Sequence, residues 1–286
     1  MNDVELCYQI LGPADAPPCL LVMGLGAQMI VWPDGLLSEL LERGFQVIRF
    51  DNRDVGLSSK TDGPPPDVLA LIAAHEAGET IEAPYTLSDM ADDALGLLAH
   101  LGFDEAHVVG ASLGGMVAQH LALEHPERVA SLTSIMSAPG PDDLVDAEPE
   151  ALGALLSPAP EARAAAIEHN VNLTRLISGP LYDEAVARDR AREQFDRAYT
   201  PAAGAFQLAA MGASGDRTDR LGQLSCPTLV VHGRVDPLIK IEAGLATAAA
   251  APEADLLVLG RMGHDLPRLY WPQVADAIIG IARRSE

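Results

Sequence analysis

One serine surrounded by small residues is the feature that most constrains the fold of this chain. In VVGASLGGMVAQHLA, residues 108–122, Ser112 follows an apolar run and precedes a helix-like stretch, with glycines at 110, 114 and 115. Glycine is needed where two backbones approach closely or where φ must turn positive. Both needs arise at a sharp strand-to-helix turn that pushes one side chain outward. The segment therefore predicts such a turn with Ser112 at its tip.

Short apolar runs that end in turn residues recur along the chain. They cover residues 19–26, 45–54, 106–112, 129–137, 227–236 and 254–264. Nearly continuous hydrophobicity is typical of strands that are buried on both faces of a parallel sheet. Helix-like segments alternate with these runs, at residues 36–43, 87–101, 114–124, 241–251 and 271–284. The alternation predicts an α/β fold with a doubly wound, mostly parallel sheet.

Two stretches interrupt the alternation. Residues 61–84, which include GPPP, are predicted to form a long loop or a short excursion. Residues 139–222 are acidic and Ala-rich, with helical segments and no strong strand signal. We therefore predict a core made of residues 1–138 and 223–286. A helical cap, residues 139–222, is predicted to be inserted before the strand of residues 227–236.

Composition restricts the partners of this chain. The 286 residues are 48% hydrophobic, which suits one large domain with a substantial core. The formal net charge of −22 argues against nucleic acid, whose binding needs clustered Lys and Arg. The same charge repels anionic membranes and opposes the approach of highly anionic substrates. We expect a small-molecule partner, no nucleic acid and no membrane.

Cysteine usage and the amino-terminal sequence bear on the compartment. Cys7, Cys19 and Cys226 are odd in number and far apart, so they predict buried thiols rather than a disulfide framework or a zinc site. The stretch MNDVELCYQI has no basic segment followed by an apolar one, so no signal peptide is expected. The prediction is a cytoplasmic protein. The sequence leaves a homodimer open.

The segment around Ser112 also carries chemistry. Gly110-Ala111-Ser112-Leu113-Gly114 matches G-x-S-x-G, the nucleophile elbow, although a helix-packing motif of small residues gives the same letters. The strand before it and the helix after it supply the context that the elbow requires. The helix amino terminus also offers N–H groups and positive potential to a developing oxyanion. Ser112 is the candidate nucleophile.

A serine nucleophile needs a base, and in this arrangement the base follows the acid in the chain. Beyond the region of the nucleophile helix, which here extends past the histidine at position 125, histidines stand at 169, 232 and 264. His169 lies in the predicted cap, and His232 lies within a strand, where a packed core histidine is expected. His264 follows the last strand on a Gly-flanked loop. We predict His264 as the base.

The candidate acid is Asp236, which ends the strand before His264 in the chain. Asp-Pro is also a common turn pair, so a turn or helix-cap role is the competing interpretation. Asp265 is adjacent to the base, but its side chain is expected to point elsewhere. The strand before the cap offers no carboxylate until Asp142. We therefore predict Asp236 as the acid, with Asp142 as the rival.

An oxyanion hole needs two N–H donors. One is predicted from Leu113, which follows the nucleophile. The other is predicted from Leu25, in the loop where Gly24 and Gly26 open the backbone. These are backbone roles, so the side-chain identity carries little information. No metal site is expected.

With these residues in place, the chain resembles the α/β-hydrolase superfamily over nearly its whole length. LLVMG, WPD and GFQVIRFDNRDVGLSS, within residues 20–59, resemble the branch of aclacinomycin methylesterase and related polyketide-tailoring esterases. The resemblance implies ester hydrolysis through Ser112, His264 and Asp236, without a cofactor. The DNRDVGLSS segment is interpreted as an architectural turn in which Asp51 and Arg53 tie loops together.

The leading hypothesis is a serine carboxylesterase that acts on small or medium-sized uncharged esters. The same three residues also serve cofactor-free perhydrolases or haloperoxidases, lactonases and carbon–carbon bond hydrolases. Haloalkane dehalogenases and epoxide hydrolases use an Asp nucleophile, and Ser112 stands at that position. A non-catalytic ligand-binding relative is the alternative from another class.

Overall fold

The structure, a computed structural model, describes residues 4–140 and 146–285. Its strands are β1 (Tyr8–Leu11), β2 (Pro18–Val22), β3 (Gln46–Phe50), β4 (Ala106–Ala111), β5 (Val129–Ile135), β6 (Thr228–Gly233) and β7 (Asp255–Leu259). Within these residues they form one sheet in the order β1-β3-β2-β4-β5-β6-β7. β1 is antiparallel to β3, and the other neighbouring pairs are parallel. The predicted mostly parallel sheet is confirmed.

The predicted and observed strands differ in two respects. Each predicted strand exists but is shorter, because the predicted runs included loop residues after the strand. β1 was not predicted. Its residues alternate between exposed and half-buried positions, and it lies at the edge of the sheet. A four-residue edge strand buries too little apolar surface to leave a clear pattern.

Helices cover both faces of the sheet, as a doubly wound fold requires. The helices of the described residues are α1 (Asp34–Glu42), α2 (Val68–Glu76), α3 (Leu87–Leu101), α4 (Leu113–Glu124), α5 (Pro149–Leu156), α6 (Arg163–Ile177), α7 (Glu184–Arg197), α8 (Ala203–Ser214), α9 (Thr218–Leu221), α10 (Ile241–Ala250) and α11 (Trp271–Ala282). Leu20 and Val22 of β2 pack with α3 and α4. Cys19 and Leu21 pack on the opposite face with α1 and α11. Burial on both faces explains the continuous apolar run.

Two helical regions lie outside this pattern. The stretch predicted as a loop or excursion contains α2, whose N-cap residue Asp67 accepts hydrogen bonds from the N–H groups of Leu69 and Ala70 at 3.0 and 3.2 Å. None of its residues is buried, so it had no amphipathic period to detect. Between β5 and β6, helices α5 to α9 form what we call the helical insertion, residues 149–221. The described part of the acidic, Ala-rich stretch therefore contains helical segments, as predicted.

The cysteines differ from the expectation of three buried thiols. Cys19 is buried in β2, and burial raises the pKa of its thiol to about 12. Cys7 and Cys226 are only half-buried, because each lies just before a strand rather than within it. All three are free thiols. Among the residues that the structure describes, no helix is both long enough and apolar enough to cross a bilayer.

Candidate active site

Ser112 occupies the tight turn between β4 and α4. Its backbone has φ 55° and ψ −125°, a conformation that residues other than Gly rarely adopt. Its N–H donates to the carbonyl oxygen of Ile135 at 2.9 Å, and its own carbonyl accepts from Gly115 N–H at 2.8 Å. These bonds hold the strained turn and present the hydroxyl at the carboxyl end of β4.

The glycines of this turn are needed for space. A Cβ atom on Gly110 would lie 2.1 Å from the carbonyl oxygen of Gly114. A Cβ atom on Gly114 would lie 2.1 Å from the carbonyl oxygen of Val22 in β2. Both approaches are to backbone atoms, which cannot swing aside as a side chain would. The spacing that suggested an elbow therefore has a steric cause in this fold.

His264 lies on the loop after β7, beside the serine. Its Nε2 is 2.9 Å from Ser112 Oγ. Its backbone N–H donates to the carbonyl oxygen of Ile177, at the end of α6, at 2.7 Å. The loop after β7 that carries His264, which we call the base loop, is thus fastened to the helical insertion. The His264 side chain is 6% exposed, so it is shielded from most solvent but reaches the serine.

Asp236 follows β6 and completes a chain of contacts. Its Oδ2 is 2.8 Å from His264 Nδ1. Its Oδ1 accepts the N–H groups of Leu238 and Ile239, both at 2.9 Å. A carboxylate that accepts on both oxygens assigns the Nδ1–H tautomer to His264. Nε2 is then the acceptor for the serine proton.

The two other carboxylates considered as the acid are Asp142 and Asp265. Asp142 lies outside the described residues. Asp265 lies next to His264 in the chain, but its Oδ1 accepts the N–H of Gly263 at 2.9 Å. Burial raises the pKa of the Asp265 carboxyl above its ordinary value. Asp265 thus braces the base loop instead of contacting the imidazole.

The two expected oxyanion donors lie on either side of Ser112. Leu113 is the first residue of α4, so its N–H has no partner within the helix. The loop after β2 reaches the serine at Gly24, where a Cβ atom would lie 3.0 Å from Ser112 Cβ and 3.5 Å from its Oγ. Leu25 follows directly. The structure therefore brings both predicted donor segments to the nucleophile.

The other histidines have separate environments. His169 lies on α6 in the helical insertion. His232 is fully buried in β6, and its Nε2–H donates to the carbonyl oxygen of Ile239 at 2.9 Å. Burial lowers the pKa of His232 below its ordinary value. Since Ile239 N–H binds Asp236, His232 supports the turn that holds the acid, a role that the sequence did not reveal.

In the segment interpreted as an architectural turn, residues 51–59, the charged side chains of Asp51 and Arg53 contact other parts of the chain. Arg53 forms two hydrogen bonds to the carboxylate of Asp93, at 2.6 and 2.7 Å. Asp51 accepts from Arg197 of α7 at 2.7 Å and from Met29 N–H at 2.8 Å. Asp51 therefore joins the loop after β2 to the helical insertion. Within the described ranges, no group of three His, Cys, Asp or Glu side chains is placed to hold a metal ion.

The family can now be stated from this geometry and from a matching sequence model. The model of the alpha/beta hydrolase fold family matches residues 17–267. The chain belongs to this family. The strained serine turn, strands β2 to β7 and the helical insertion all lie within the matched segment.

The chain is also similar to individual hydrolases over most of its length. Rhodomycin D methylesterase DnrP of Streptomyces peucetius is 29% identical over 318 residues, covering 99% of this chain and 96% of that protein. Putative carbamate hydrolase RutD of Variovorax paradoxus (strain S110) is 30% identical over 264 residues, covering 91% and 90%. A hydrolase from Pseudomonas aeruginosa PA01 has a solved structure with a TM-score of 0.69 and 26% identity, covering 96% and 93%. The chain is a hydrolase, and the resemblance to methylesterases extends beyond residues 20–59.

Proposed function

We propose that this protein is a serine carboxylesterase that uses Ser112, His264 and Asp236. The observation that carries the proposal is the continuous contact from Ser112 Oγ to His264 Nε2 at 2.9 Å and from His264 Nδ1 to Asp236 Oδ2 at 2.8 Å. This is the order of groups that a serine needs to lose its proton as it attacks a carbonyl.

Acylation begins when Ser112 Oγ attacks the ester carbonyl carbon and His264 Nε2 takes the hydroxyl proton. The carbonyl oxygen becomes an oxyanion, which the backbone N–H groups of Leu25 and Leu113 bind. Asp236 stabilises the imidazolium through its contact with Nδ1. The tetrahedral intermediate then expels the alkoxide, which takes the proton from Nε2 and leaves as the alcohol. The acyl group remains bound to Ser112.

Deacylation repeats these steps with water. His264 Nε2 takes a proton from water as its oxygen attacks the acyl carbon, and the same N–H groups bind the second oxyanion. Collapse of this intermediate breaks the bond to Ser112 Oγ, which recovers the proton from the imidazolium. The products are a carboxylic acid and free enzyme, so no cofactor enters the cycle.

The substrate class follows from charge and from relatives. A net charge of −22 disfavours highly anionic esters, because the field of the whole protein opposes their approach. The likeness to rhodomycin D methylesterase over 99% of this chain supports a small or medium-sized uncharged ester, with aromatic polyketide methyl esters as the first class to test.

We also propose the division into parts that the sequence suggested. The core is residues 1–138 and 223–286, and the cap is residues 139–222, which include the helical insertion. The described helices α5 to α9, all between β5 and β6, support this division. We also propose a cytoplasmic location, which the three free thiols of Cys7, Cys19 and Cys226 support.

A hydrolysis screen tests the function. Purified protein is assayed with p-nitrophenyl esters from C2 to C16 and with methyl esters of aromatic polyketides, with Ser112→Ala as the matched blank. The proposal expects hydrolysis of at least one uncharged ester by the wild type and none by the variant. Equal rates from both proteins, or no hydrolysis by either, would contradict it. Lactones, and peroxide with bromide, are added as separate arms to detect lactonase and haloperoxidase activity.

A further inference from the structure

The loop that carries one oxyanion donor has a defined turn geometry. We call residues Gly24–Gln28 the oxyanion loop. Ala27 N–H donates to the carbonyl oxygen of Gly24 at 3.3 Å, which closes a turn with Leu25 and Gly26 at its centre. Gly26 has φ +63°, whereas Leu25 is not among the residues with positive φ. This pattern is that of a type II turn.

In such a turn the orientation of the central peptide plane distinguishes type I from type II. Types I and II differ by about a half-turn of that plane, which here joins Leu25 to Gly26. Rotation of the plane changes ψ of Leu25 and φ of Gly26 together. The N–H of Leu25 belongs to the neighbouring plane, and φ at this position of the turn is about −60° in both types. The distance of this N–H from Ser112 therefore depends on where the loop as a whole is held.

One side chain holds this central plane. Gln207 lies on α8 of the helical insertion and is 0% exposed. Its Oε1 accepts the N–H of Gly26 at 2.8 Å. Its Nε2 donates to the carbonyl oxygen of Arg53, in the loop after β3, at 3.0 Å. A single buried amide therefore joins the oxyanion loop, the loop after β3 and the insertion.

The contact selects one orientation of the peptide. Since Gly26 N–H points at a buried acceptor, a flipped plane would leave Gln207 Oε1 without its donor and turn the carbonyl of Leu25 towards it. An unpaired buried polar group is costly, so the amide favours the type II form. The other bond of Gln207, to Arg53, fixes the amide itself so that it cannot follow a flip.

We propose that Gln207 is a positioning residue that holds the oxyanion loop in the conformation needed to bind the developing oxyanion. The inference rests on the proposed function, since it assigns Leu25 N–H to that oxyanion. Gln207 does not touch the serine or the base. It acts through the peptide that follows Leu25.

The test uses two substitutions of Gln207 and one control on the same helix. Gln207→Met keeps the approximate shape and removes both hydrogen bonds. Gln207→Asn keeps the amide but withdraws it by one methylene, so it serves as the second variant if the first fails to fold. Ser214→Ala is the matched control, because Ser214 Oγ also accepts a core N–H, that of Leu87 at 2.8 Å, away from the site.

Four quantities separate positioning from a general loss of structure: kcat per titrated site, KM, an inhibition constant and a pH midpoint. Active sites are counted by titration with a fluorophosphonate, so that kcat refers to folded enzyme only. The variants are then compared by kcat and KM on one ester, and by the inhibition constant of a trifluoromethyl ketone, which forms an oxyanion on the serine. The pH dependence of kcat reports whether the base is unchanged.

Loss of one oxyanion donor lowers kcat by about 10²- to 10³-fold, so a displaced donor is expected to cost about 10- to 100-fold. Both Gln207 variants should show this fall in kcat, with KM within about threefold, an inhibition constant of the ketone raised in proportion and an unchanged pH midpoint. Ser214→Ala should stay within about twofold of the wild type. These ranges follow from the size of an oxyanion contribution.

Three results would overturn the inference. A Gln207 variant with wild-type kcat per titrated site, or with a reduced kcat but unchanged affinity for the ketone, would refute the positioning role alone. A wild type that hydrolyses no ester and takes up no fluorophosphonate would refute the proposed function and this inference with it.

Discussion

Replacing Asp236 by Asn tests the geometry of the acid. Asp236 Oδ1 accepts two N–H groups, from Leu238 and Ile239, and Oδ2 faces His264. In Asp236→Asn, only the amide oxygen can accept those two N–H groups, so the NH₂ group must face His264 Nδ1. The imidazole then has to accept at Nδ1 and carry its proton on Nε2. That tautomer cannot take the proton from Ser112.

The size of the effect has two parts. Two opposite charges about 4 Å apart interact by about 4 kcal/mol at an effective dielectric constant of 20, which corresponds to about 10³ in rate. Loss of the correct tautomer adds to this, and in the worked serine protease triad the Asp-to-Asn change costs about 10⁴ in kcat. We expect kcat of Asp236→Asn to fall by about 10³- to 10⁴-fold.

The assay is steady-state hydrolysis of a p-nitrophenyl ester, with circular dichroism to check the fold. KM should change much less than kcat, because the carboxylate contacts His264 and backbone groups. Asp265→Asn and Asp142→Asn are the controls, and both are expected to keep most of the activity. If kcat of Asp236→Asn stays within about tenfold of the wild type while Asp142→Asn loses most of its activity, the acid has been assigned to the wrong strand.

Further predictions concern pH and buried charges. Activity should be lost on acidification, because protonated His264 cannot accept the serine proton. A rate that stays flat to pH about 4.5 in folded protein would refute a histidine base. Burial lowers the pKa of His120, so below about pH 6.5 the unfolded chain binds a proton that the folded chain does not. Stability is therefore expected to decrease as the pH is lowered through this range. His120→Leu should make the accompanying decrease of the melting temperature shallower, and an identical slope would contradict this. Arg197→Met leaves the fully buried Asp51 without its ion-pair partner and should cost about 3 kcal/mol in urea unfolding. Arg163→Met, at an exposed ion pair, should leave the urea midpoint nearly unchanged.

The sequence contained local signals for much of the site. The serine turn could be predicted because its glycines, strand and helix are contiguous in the chain. His264 and Asp236 could be selected because each follows a predicted strand in the order that the fold requires. All three side chains lie within hydrogen-bond distance of a neighbour in this set.

The supports of the site left no such signal. Gln207 and Arg197 contact the oxyanion loop and its neighbours across more than 100 positions of sequence, and each stands in an ordinary helical segment. One sequence cannot show which polar residue of a helix will be turned inwards. For the same reason β1 and α2 were missed, since neither buries a regular apolar face.

The most direct test of the account is to identify the residue that becomes acylated or phosphonylated. The protein is treated with a fluorophosphonate, and intact mass spectrometry and peptide mapping locate the adduct. We predict one adduct per chain, on the peptide that contains Ser112, and none on Ser112→Ala. An adduct on another residue, or continued ester hydrolysis by Ser112→Ala, would contradict the assignment of Ser112 as the nucleophile.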